Sequence, residues 1–209
     1  MNSKLFTTQN IIKMAMMGAL SVILMQFKFS LPMLFPGFLS VDFSDVAIVV
    51  GMMTIHPAAG FVIALLKNVL DVVLFGSSSA AIGQLANFVI AVAYITPLYF
   101  CLRKTRELKS VTIAIASGVA MMAVVGAFLN YFVMIPMYTQ FMPLEAIIAM
   151  GNVIYSGITD TFTLVVFSII PFNLFKGTLV ATVSIIVVKS AYPLLNMLRS
   201  RGNENENLN

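Results

Sequence analysis

Residues 162–188 read FTLVVFSIIPFNLFKGTLVATVSIIVV, two apolar runs with a polar interruption between them. The interruption, PFNLFKG at residues 171–177, carries Asn173 and Lys176. A lysine inside a membrane segment is costly, so it marks a functional site or extends its ammonium to the membrane surface. A proline favours the first turn of a helix. The sequence therefore predicts that the last membrane helix begins near Pro171, with Asn173 and Lys176 one turn apart at its start, beside free backbone N–H groups.

The composition of the whole chain is that of a membrane protein. It has 209 residues, of which 60% are hydrophobic and 10% charged, and its mean hydropathy is +0.99. A soluble domain carries about 25% charged residues. The single cysteine, Cys101, excludes a disulfide within the chain. The N-terminal apolar run has no small-residue cleavage motif, which favours a retained helix over a signal peptide.

Hydropathy divides the chain into six predicted membrane helices of an all-α protein. Residues 136–170 contain short apolar stretches interrupted by polar residues, so we expect a long, partly helical loop on the outer side of the membrane. One membrane domain is predicted for residues 1–198, followed by a polar, disordered cytoplasmic tail at 199–209. The six predicted helices span about residues 11–27, 46–55, 57–75, 82–102, 111–135 and 172–194.

The distribution of basic residues predicts the orientation. Lysine and arginine concentrate in cytoplasmic loops. With six helices and both termini in the cytoplasm, most of the 12 basic residues lie on the inner side. A seventh helix would move the last two outside. Topology thus explains the net charge of +4, and nucleic-acid binding is not needed. The inner residues are Lys4, Lys13, Arg103, Lys104, Arg106, Lys109, Lys189, Arg199 and Arg201.

Four ionisable residues near the predicted helices invite a chemical interpretation. Lys67 and Asp71 are four residues apart and share a helix face, so they can pair, either structurally or within a functional site. Asp42 and Asp45 have no histidine or further metal ligand beside them, and Asp45 is predicted to cap the second helix. A small membrane enzyme that uses Asp42, Asp45 or Lys67 stays as an alternative.

Polar residues also cluster at the predicted outer ends of the helices. Gln84 and Asn87 are one turn apart at the start of the fourth helix, and Asn130 and Tyr131 end the fifth. Each amide alone is typical of a contact between helices. Together with Lys176, these residues predict a site for a neutral, planar molecule with polar edges.

The first helix shows a different pattern. Ala15 and Ala19 are four residues apart in KMAMMGALSV, with Gly18 beside them. Small residues at this spacing form a flat stripe on which another helix can pack closely. The stripe predicts a surface for a partner helix.

The alanine stripe, FLSVDFSD, ALLKNVLD, GQLANF, LNYFVMIPMY and PFNLFKG together resemble the S components of energy-coupling factor (ECF) vitamin transporters. The likeness covers nearly the whole chain, and the riboflavin-specific members are the most similar. It implies six helices in a bacterial plasma membrane, capture of riboflavin from outside, and a T subunit with two ATPase subunits as partners. It implies transport without catalysis, cofactor or metal. An S component for another vitamin stays as an alternative.

The resemblance also assigns roles to individual residues. Asn130, Asn173 and Lys176 match the flavin-binding positions of the family, and Asn87 matches a further asparagine that lines the site. Ala15 and Ala19 match the stripe that meets the T subunit. By location alone, the ligand site is expected to include Leu39, Asp42, Lys67, Gln84 and Tyr131.

Overall fold

The computed structural model describes the backbone of residues 5–76, 81–105 and 107–206, with side chains described except at 108 and 191–206. This backbone is almost entirely helical, with one short two-stranded antiparallel sheet, in which Phe29 pairs with Val41. The elements are α1 (Thr8–Gln26), β1 (Phe29–Ser30), β2 (Ser40–Val41), α2 (Ser44–Thr54), α3 (Ala59–Phe75), α4 (Ile82–Lys104), α5 (Leu108–Leu129), a first π-helical turn π1 (Asn130–Met134), α6 (Ile135–Tyr138), α7 (Leu144–Asn152), α8 (Thr161–Leu164), a second π-helical turn π2 (Val165–Ile169) and α9 (Ile170–Glu206).

Four helical segments within the described residues are long and apolar enough to cross a membrane, and the protein is an all-α membrane protein. With 11 and 17 residues, α2 and α3 are shorter than the roughly 20 residues of a typical crossing. Every residue of α2 from Ser44 to Met52 is buried, so its length need not match the lipid. The count of six spans and the orientation stay predictions. The four segments are Thr8–Gln26, Ile82–Lys104, Lys109–Tyr138 and Thr161–Ser190.

The prediction that the last membrane helix begins near Pro171 was wrong. The helix begins at Thr161, where the Asp160 carboxylate accepts a hydrogen bond from the Thr163 N–H at 2.8 Å and the Thr163 hydroxyl bonds the Asp160 N–H in return. The bond from the Thr163 N–H holds the pKa of Asp160 below its usual value. The apolar run FTLVVFSII is therefore the first part of this helix, and Asn173 and Lys176 lie well inside it.

Two wide turns explain why Pro136 and Pro171 do not end their helices. Proline lacks an N–H and clashes with the carbonyl of the preceding turn. Here a π-helical turn, which widens the helix locally, ends two residues before each of these prolines. Each begins six positions before it, at residue 130 for Pro136 and at residue 165 for Pro171. The helix that contains α5 therefore continues to Tyr138.

These helix extensions also correct the long loop predicted for residues 136–170. The connection between the two long helices spans only residues 139–160, and it contains α7. The backbone of α9 is helical as far as Glu206, through residues 199–206 of the tail that the sequence predicts to be disordered. The division into a domain at 1–198 and a tail at 199–209 stays a prediction.

The helices pack into one bundle, with α1 against α2 and α3, and with α5 between α4 and α9. Gly118 permits the contact between α4 and α5, because a Cβ there would collide with the carbonyl oxygen of Tyr94. One apolar core joins α2, α3, α4, α5 and α9. A second joins the segment 35–41 to α7 and to the helix that begins at Thr161.

Candidate ligand-binding site

A cavity of about 200 Å³ opens where the segment 38–40, the beginning of α4, the end of α5 with π1, α6 and the middle of the last helix meet. Its wall combines polar and apolar side chains from parts of the chain that are far apart in sequence. The polar lining residues are Ser40, Asn87, Asn130, Tyr138, Asn173 and Lys176. The other lining residues are Phe38, Leu39, Gly83, Ala86, Ile90, Met122, Met134 and Phe172.

Asn130 and Asn173 form the amide wall of this cavity. The Asn130 Nδ2 donates to the carbonyl oxygen of Gly126 at 2.8 Å, and the Asn173 Nδ2 donates to that of Ile169 at 2.9 Å. Both bonds run one turn back along the residue's own helix. Each fixes the side-chain orientation with one N–H and leaves the amide oxygen and the second N–H for other partners.

Gly126 brings the amide wall together. A Cβ at this position would lie 2.8 Å from the Asn173 Nδ2 and 2.9 Å from its Cγ, too close for two unbonded atoms. The absence of a side chain on α5 thus allows the Asn173 amide to pack between the two long helices. Asn130 begins π1, and Asn173 follows π2 by four residues, so both amides depend on the wide turns for their register.

Lys176 belongs to a second group of polar residues, which we call the charged network and define as Asp42, Ser44, Asp45, Lys67 and Lys176. All five are buried. The Lys176 Nζ lies 2.8 Å from an Asp42 carboxylate oxygen and 3.8 Å from one of Asp45. The Lys67 Nζ lies 2.7 Å from the other Asp45 oxygen and 3.0 Å from the Ser44 hydroxyl. Two lysines and two aspartates thus neutralise one another inside the bundle.

Asp42 lies in the segment before α2, and two opposing effects act on its carboxyl group. Burial raises the pKa of Asp42, but the positive charges of Lys176 and Lys67 and the hydrogen bonds from Lys176 and Ser44 lower it by more. The net pKa is below the usual range, so the carboxylate is ionised at neutral pH. The Ser44 N–H and hydroxyl both donate to the same Asp42 oxygen, which anchors the first turn of α2.

The structure corrects two predictions about the acidic residues. Asp45 does not cap α2; its carboxylate binds lysines, and Asp42 instead accepts the N–H of the first residue of the helix. Lys67 pairs with Asp45 rather than with Asp71. Lys67 and Asp71 are four residues apart on α3, yet each hydrogen-bonds side chains on other helices.

Asp71 has its own partners at the end of the bundle where α1 ends and α4 begins. Its two carboxylate oxygens accept hydrogen bonds from the Gln26 Nε2 at 2.9 Å and from the Gln84 Nε2 at 3.0 Å. One carboxylate therefore ties together α1, α3 and α4. Gln84 thus donates to a structural contact and does not line the cavity.

The nine residues predicted for ligand binding fall into three groups. Five line the cavity: Leu39, Asn87, Asn130, Asn173 and Lys176. Asp42, Lys67 and Gln84 do not line the cavity and are partners of other polar groups. Tyr131 is 37% exposed, and its ring packs edge-on against Phe132 at 4.8 Å between centroids, outside the cavity lining. Binding of a ligand by any of the nine stays a prediction.

Three aromatic lining residues escaped the sequence analysis: Phe38, Tyr138 and Phe172. In a chain with 17 phenylalanines, no spacing distinguishes a ring that lines a cavity from one that faces lipid. Phe38 and Tyr138 also line an adjoining apolar cavity of about 430 Å³, with Gly37, Met142, Ile147 and Met150. Their ring centroids are 6.2 Å apart, so this pair stands between the two cavities.

The alanine stripe of α1 faces outward. Ala15 and Ala19 are exposed, on a surface that also includes Ile12, Met16 and Ile23. The opposite side of α1, which includes Met14, Gly18 and Val22, is buried in the bundle. Contact with a partner through the stripe stays a prediction.

Comparison with known proteins shows similarity over most of the chain. Residues 9–188 match the family described as ECF transporter, substrate-specific component. The riboflavin transporter FmnP of Bacillus subtilis strain 168 is 29% identical over 92% of this chain and 96% of its own. The riboflavin transporter RibU of Staphylococcus aureus strain TCH60 is 32% identical over 89% and 93%, respectively.

A solved structure is also similar in fold. It is described as the S component of a bacterial ECF transporter, and it aligns with a TM-score of 0.69 at 29% sequence identity. The alignment covers 90% of this chain and 97% of that one. The helical bundle is thus shared over nearly its full length.

Proposed function

Because this chain belongs to the substrate-specific components of ECF transporters, we propose that it captures riboflavin in the cavity between α4, α5 and the last helix. The observation that carries the proposal is the composition of that cavity. Its lining contains three amides and one ammonium group together with three aromatic rings. Relatives of similar length are riboflavin transporters, which supports the same ligand for this chain.

The chemistry of the flavin ring fits these walls. The isoalloxazine system is planar, with carbonyl oxygens and ring nitrogens along one edge and an apolar benzenoid end. Asn130 and Asn173 each offer a donor and an acceptor to the polar edge, whereas Lys176 only donates. Phe172 can stack on the ring face. The adjoining apolar cavity behind Phe38 and Tyr138 offers further volume to the benzenoid end.

Lys176 can serve both the protein and the ligand. Its ammonium group has three N–H donors. One binds Asp42 and a second points toward the more distant Asp45. The third is available to a carbonyl oxygen of the flavin, because Lys176 also lines the cavity. Since its charge is already balanced by the network, the site suits a neutral ligand ring.

We place the cavity on the outer face of a bacterial plasma membrane, in a bundle of six spans with both termini in the cytoplasm. The basic residues support this orientation. The cavity lies at the end of the bundle where α1 and α5 end and α4 begins, which is the outer end in that topology. The short α2 and α3 complete six spans, with α2 shielded from lipid by its neighbours.

The partners we propose are a membrane T subunit, bound through Ala15 and Ala19, and two ATPase subunits that drive release. The exposure of both alanines supports this assignment, since small side chains let a second helix approach closely. The family consists of transporters, so an enzyme based on Asp42 and Asp45 is not favoured. Both aspartates are engaged by lysines.

A fluorescence titration tests the ligand. Purified protein in detergent should quench riboflavin fluorescence with one site per chain. Competition by thiamine, biotin and pantothenate should fail. The variant Asn173→Ala should bind more weakly, whereas Gln140→Ala, which removes an exposed amide away from the cavity, should bind as the unchanged protein does. Absence of riboflavin binding at micromolar concentration, or displacement by another vitamin, would reject the assignment.

A further inference from the structure

We propose that Lys67 is a positioning residue for the ligand site: it orients the Asn87 amide and, through Asp45, holds the Lys176 ammonium group at the cavity. Lys67 itself does not line the cavity, so it acts without touching the ligand. The inference rests on the proposed function, and it assigns to Lys67 a role different from the direct binding that the sequence suggested.

The surroundings of Lys67 account for all its donors. Its side chain is completely buried, and its Nζ lies 2.7 Å from an Asp45 carboxylate oxygen and 3.0 Å from the Ser44 hydroxyl, both on α2. The third acceptor is the Asn87 Oδ1 on α4, at 3.5 Å. An ammonium group has three N–H donors, and three acceptors from two neighbouring helices surround this one.

The third contact determines which way the Asn87 amide faces. Lysine can donate hydrogen bonds but cannot accept them, so the amide oxygen must turn toward Lys67. The amide nitrogen then points away, and it donates to the thioether sulfur of Met25 at 4.0 Å. Sulfur is a weak acceptor, and Asn87 lines the cavity. Asn87 therefore turns its N–H groups toward the ligand, where they can donate to an acceptor such as a carbonyl oxygen or a ring nitrogen.

The second link runs through Asp45. One of its oxygens binds Lys67 at 2.7 Å, and the other lies 3.8 Å from the Lys176 Nζ. Lys67 thus competes with Lys176 for the same carboxylate. If Lys67 were absent, both Asp45 oxygens could turn to Lys176, and the ammonium group would be drawn away from the cavity. With Lys67 in place, the shortest ion pair of Lys176 is that with Asp42, at 2.8 Å.

A charge-balanced variant tests the role without leaving an isolated buried charge. Lys67→Met alone removes the closest cation of the buried Asp45 carboxylate. The test variant therefore combines Lys67→Met with Asp45→Asn, which leaves Asp42 and Lys176 as a neutral pair. This variant should fold, as judged by its melting curve in detergent. It should bind riboflavin about tenfold more weakly, a change equivalent to 1.4 kcal/mol.

A double-mutant cycle separates positioning from a general structural effect. In the unchanged protein, Asn87→Ala should weaken binding severalfold. In the Lys67→Met, Asp45→Asn background it should have less than about a twofold effect, because the amide is no longer oriented. Asn130→Ala is the matched control: its amide bonds the Gly126 carbonyl oxygen on its own helix, so the substitution should cost the same in both backgrounds. The visible absorption bands of bound flavin should shift with Lys67→Met, Asp45→Asn and not with Gln140→Ala, which changes an exposed amide away from the cavity.

The possible results are distinct. Equal riboflavin affinity of the charge-balanced variant and the unchanged protein would overturn the inference. So would an Asn87→Ala effect of the same size in both backgrounds. If the unchanged protein fails to bind riboflavin, the proposed function falls, and the inference falls with it. If it binds and the Asn87 effect disappears in the variant, both are supported.

Discussion

The two polar walls of the cavity differ in what holds them. Asn130 and Asn173 are each fixed by one hydrogen bond to their own helix, one turn back. Lys176 is fixed by carboxylates that come from the segment around the beginning of α2, more than 130 residues earlier in the chain. The amide wall is thus local, whereas the charged wall is built by tertiary contacts. Substitutions in the amide wall should therefore lower ligand affinity, whereas substitutions in the charged wall should lower both ligand affinity and the stability of the fold.

The largest expected effect belongs to the centre of the charged network. Asp45→Leu removes the carboxylate shared by two buried lysines and leaves Lys67 without an anionic partner. Breaking a buried pair by removing one partner costs about 3–5 kcal/mol, so the melting temperature in detergent should fall sharply. Glu145→Leu at an exposed position is the control and should change it little. A stable Asp45→Leu protein would show that the network is not structural.

The next effect joins the two walls, because Lys176 belongs to the network and lines the cavity. Lys176→Met should weaken riboflavin binding by about 1.5–3 kcal/mol, the contribution of a hydrogen bond to a charged group. It should also lower stability, since Asp42 loses its closest cation. Adding Asp42→Asn should restore the melting temperature and leave binding weak. Recovery of both together would mean that Lys176 acts only through folding.

A smaller effect is expected in the amide wall. Asn130→Ala removes one uncharged donor and acceptor, so binding should weaken by about 0.5–1.5 kcal/mol. The melting temperature should stay nearly unchanged, because the lost bond is to the residue's own helix. Isothermal titration with riboflavin and a parallel melting curve measure the two quantities. A large loss of stability would contradict the local character of this wall.

The pH dependence should be weak near neutrality. The folded pKa of Asp42 lies below its usual value, so its stabilising contribution is present above the unfolded pKa of about 3.9 and is lost as pH falls through the folded value. Riboflavin affinity should be constant between about pH 5 and 8. In acid unfolding, the unchanged protein should lose stability below about pH 4 more steeply than Asp42→Asn. Parallel unfolding curves would show that ionised Asp42 does not stabilise the folded protein.

The smallest effect on binding is expected outside both walls. Ala15→Trp places a large ring on the exposed stripe of α1, so riboflavin affinity should not change, whereas uptake and copurification with the T subunit should be lost. Val124→Trp, on an exposed position of α5, is the matched control and should retain uptake. Normal uptake by Ala15→Trp would move the partner surface elsewhere.

The membrane class could be predicted from composition, and several polar residues that the sequence singled out line one cavity. Asn87, Asn130, Asn173 and Lys176 all line it, although they are far apart in the sequence. This worked because isolated amides and a lysine are conspicuous in an apolar sequence. Aromatic residues such as Phe172 are as apolar as their neighbours in the sequence, so they could not be singled out.

Helix ends near prolines could not be predicted, because the rule that a proline ends a helix assumes regular α geometry. A π-helical turn before Pro136 and another before Pro171 remove the clash, and the spacing of apolar residues gives no sign of either. The partner of Lys67 could not be predicted for a related reason. Lys67 and Asp71 are neighbours on one helix, but the nearest carboxylate in space is that of Asp45 on another.

The sequence by itself determined that this protein is a helical membrane bundle with polar residues concentrated toward one end, since the cost of placing polar groups in lipid is a property of each residue and its neighbours in the chain. Only the tertiary structure decided which carboxylate pairs with which lysine, which rings line the cavity and how the two long helices continue through Pro136 and Pro171. These depend on distances between segments far apart in sequence, and such distances arise when the helices pack.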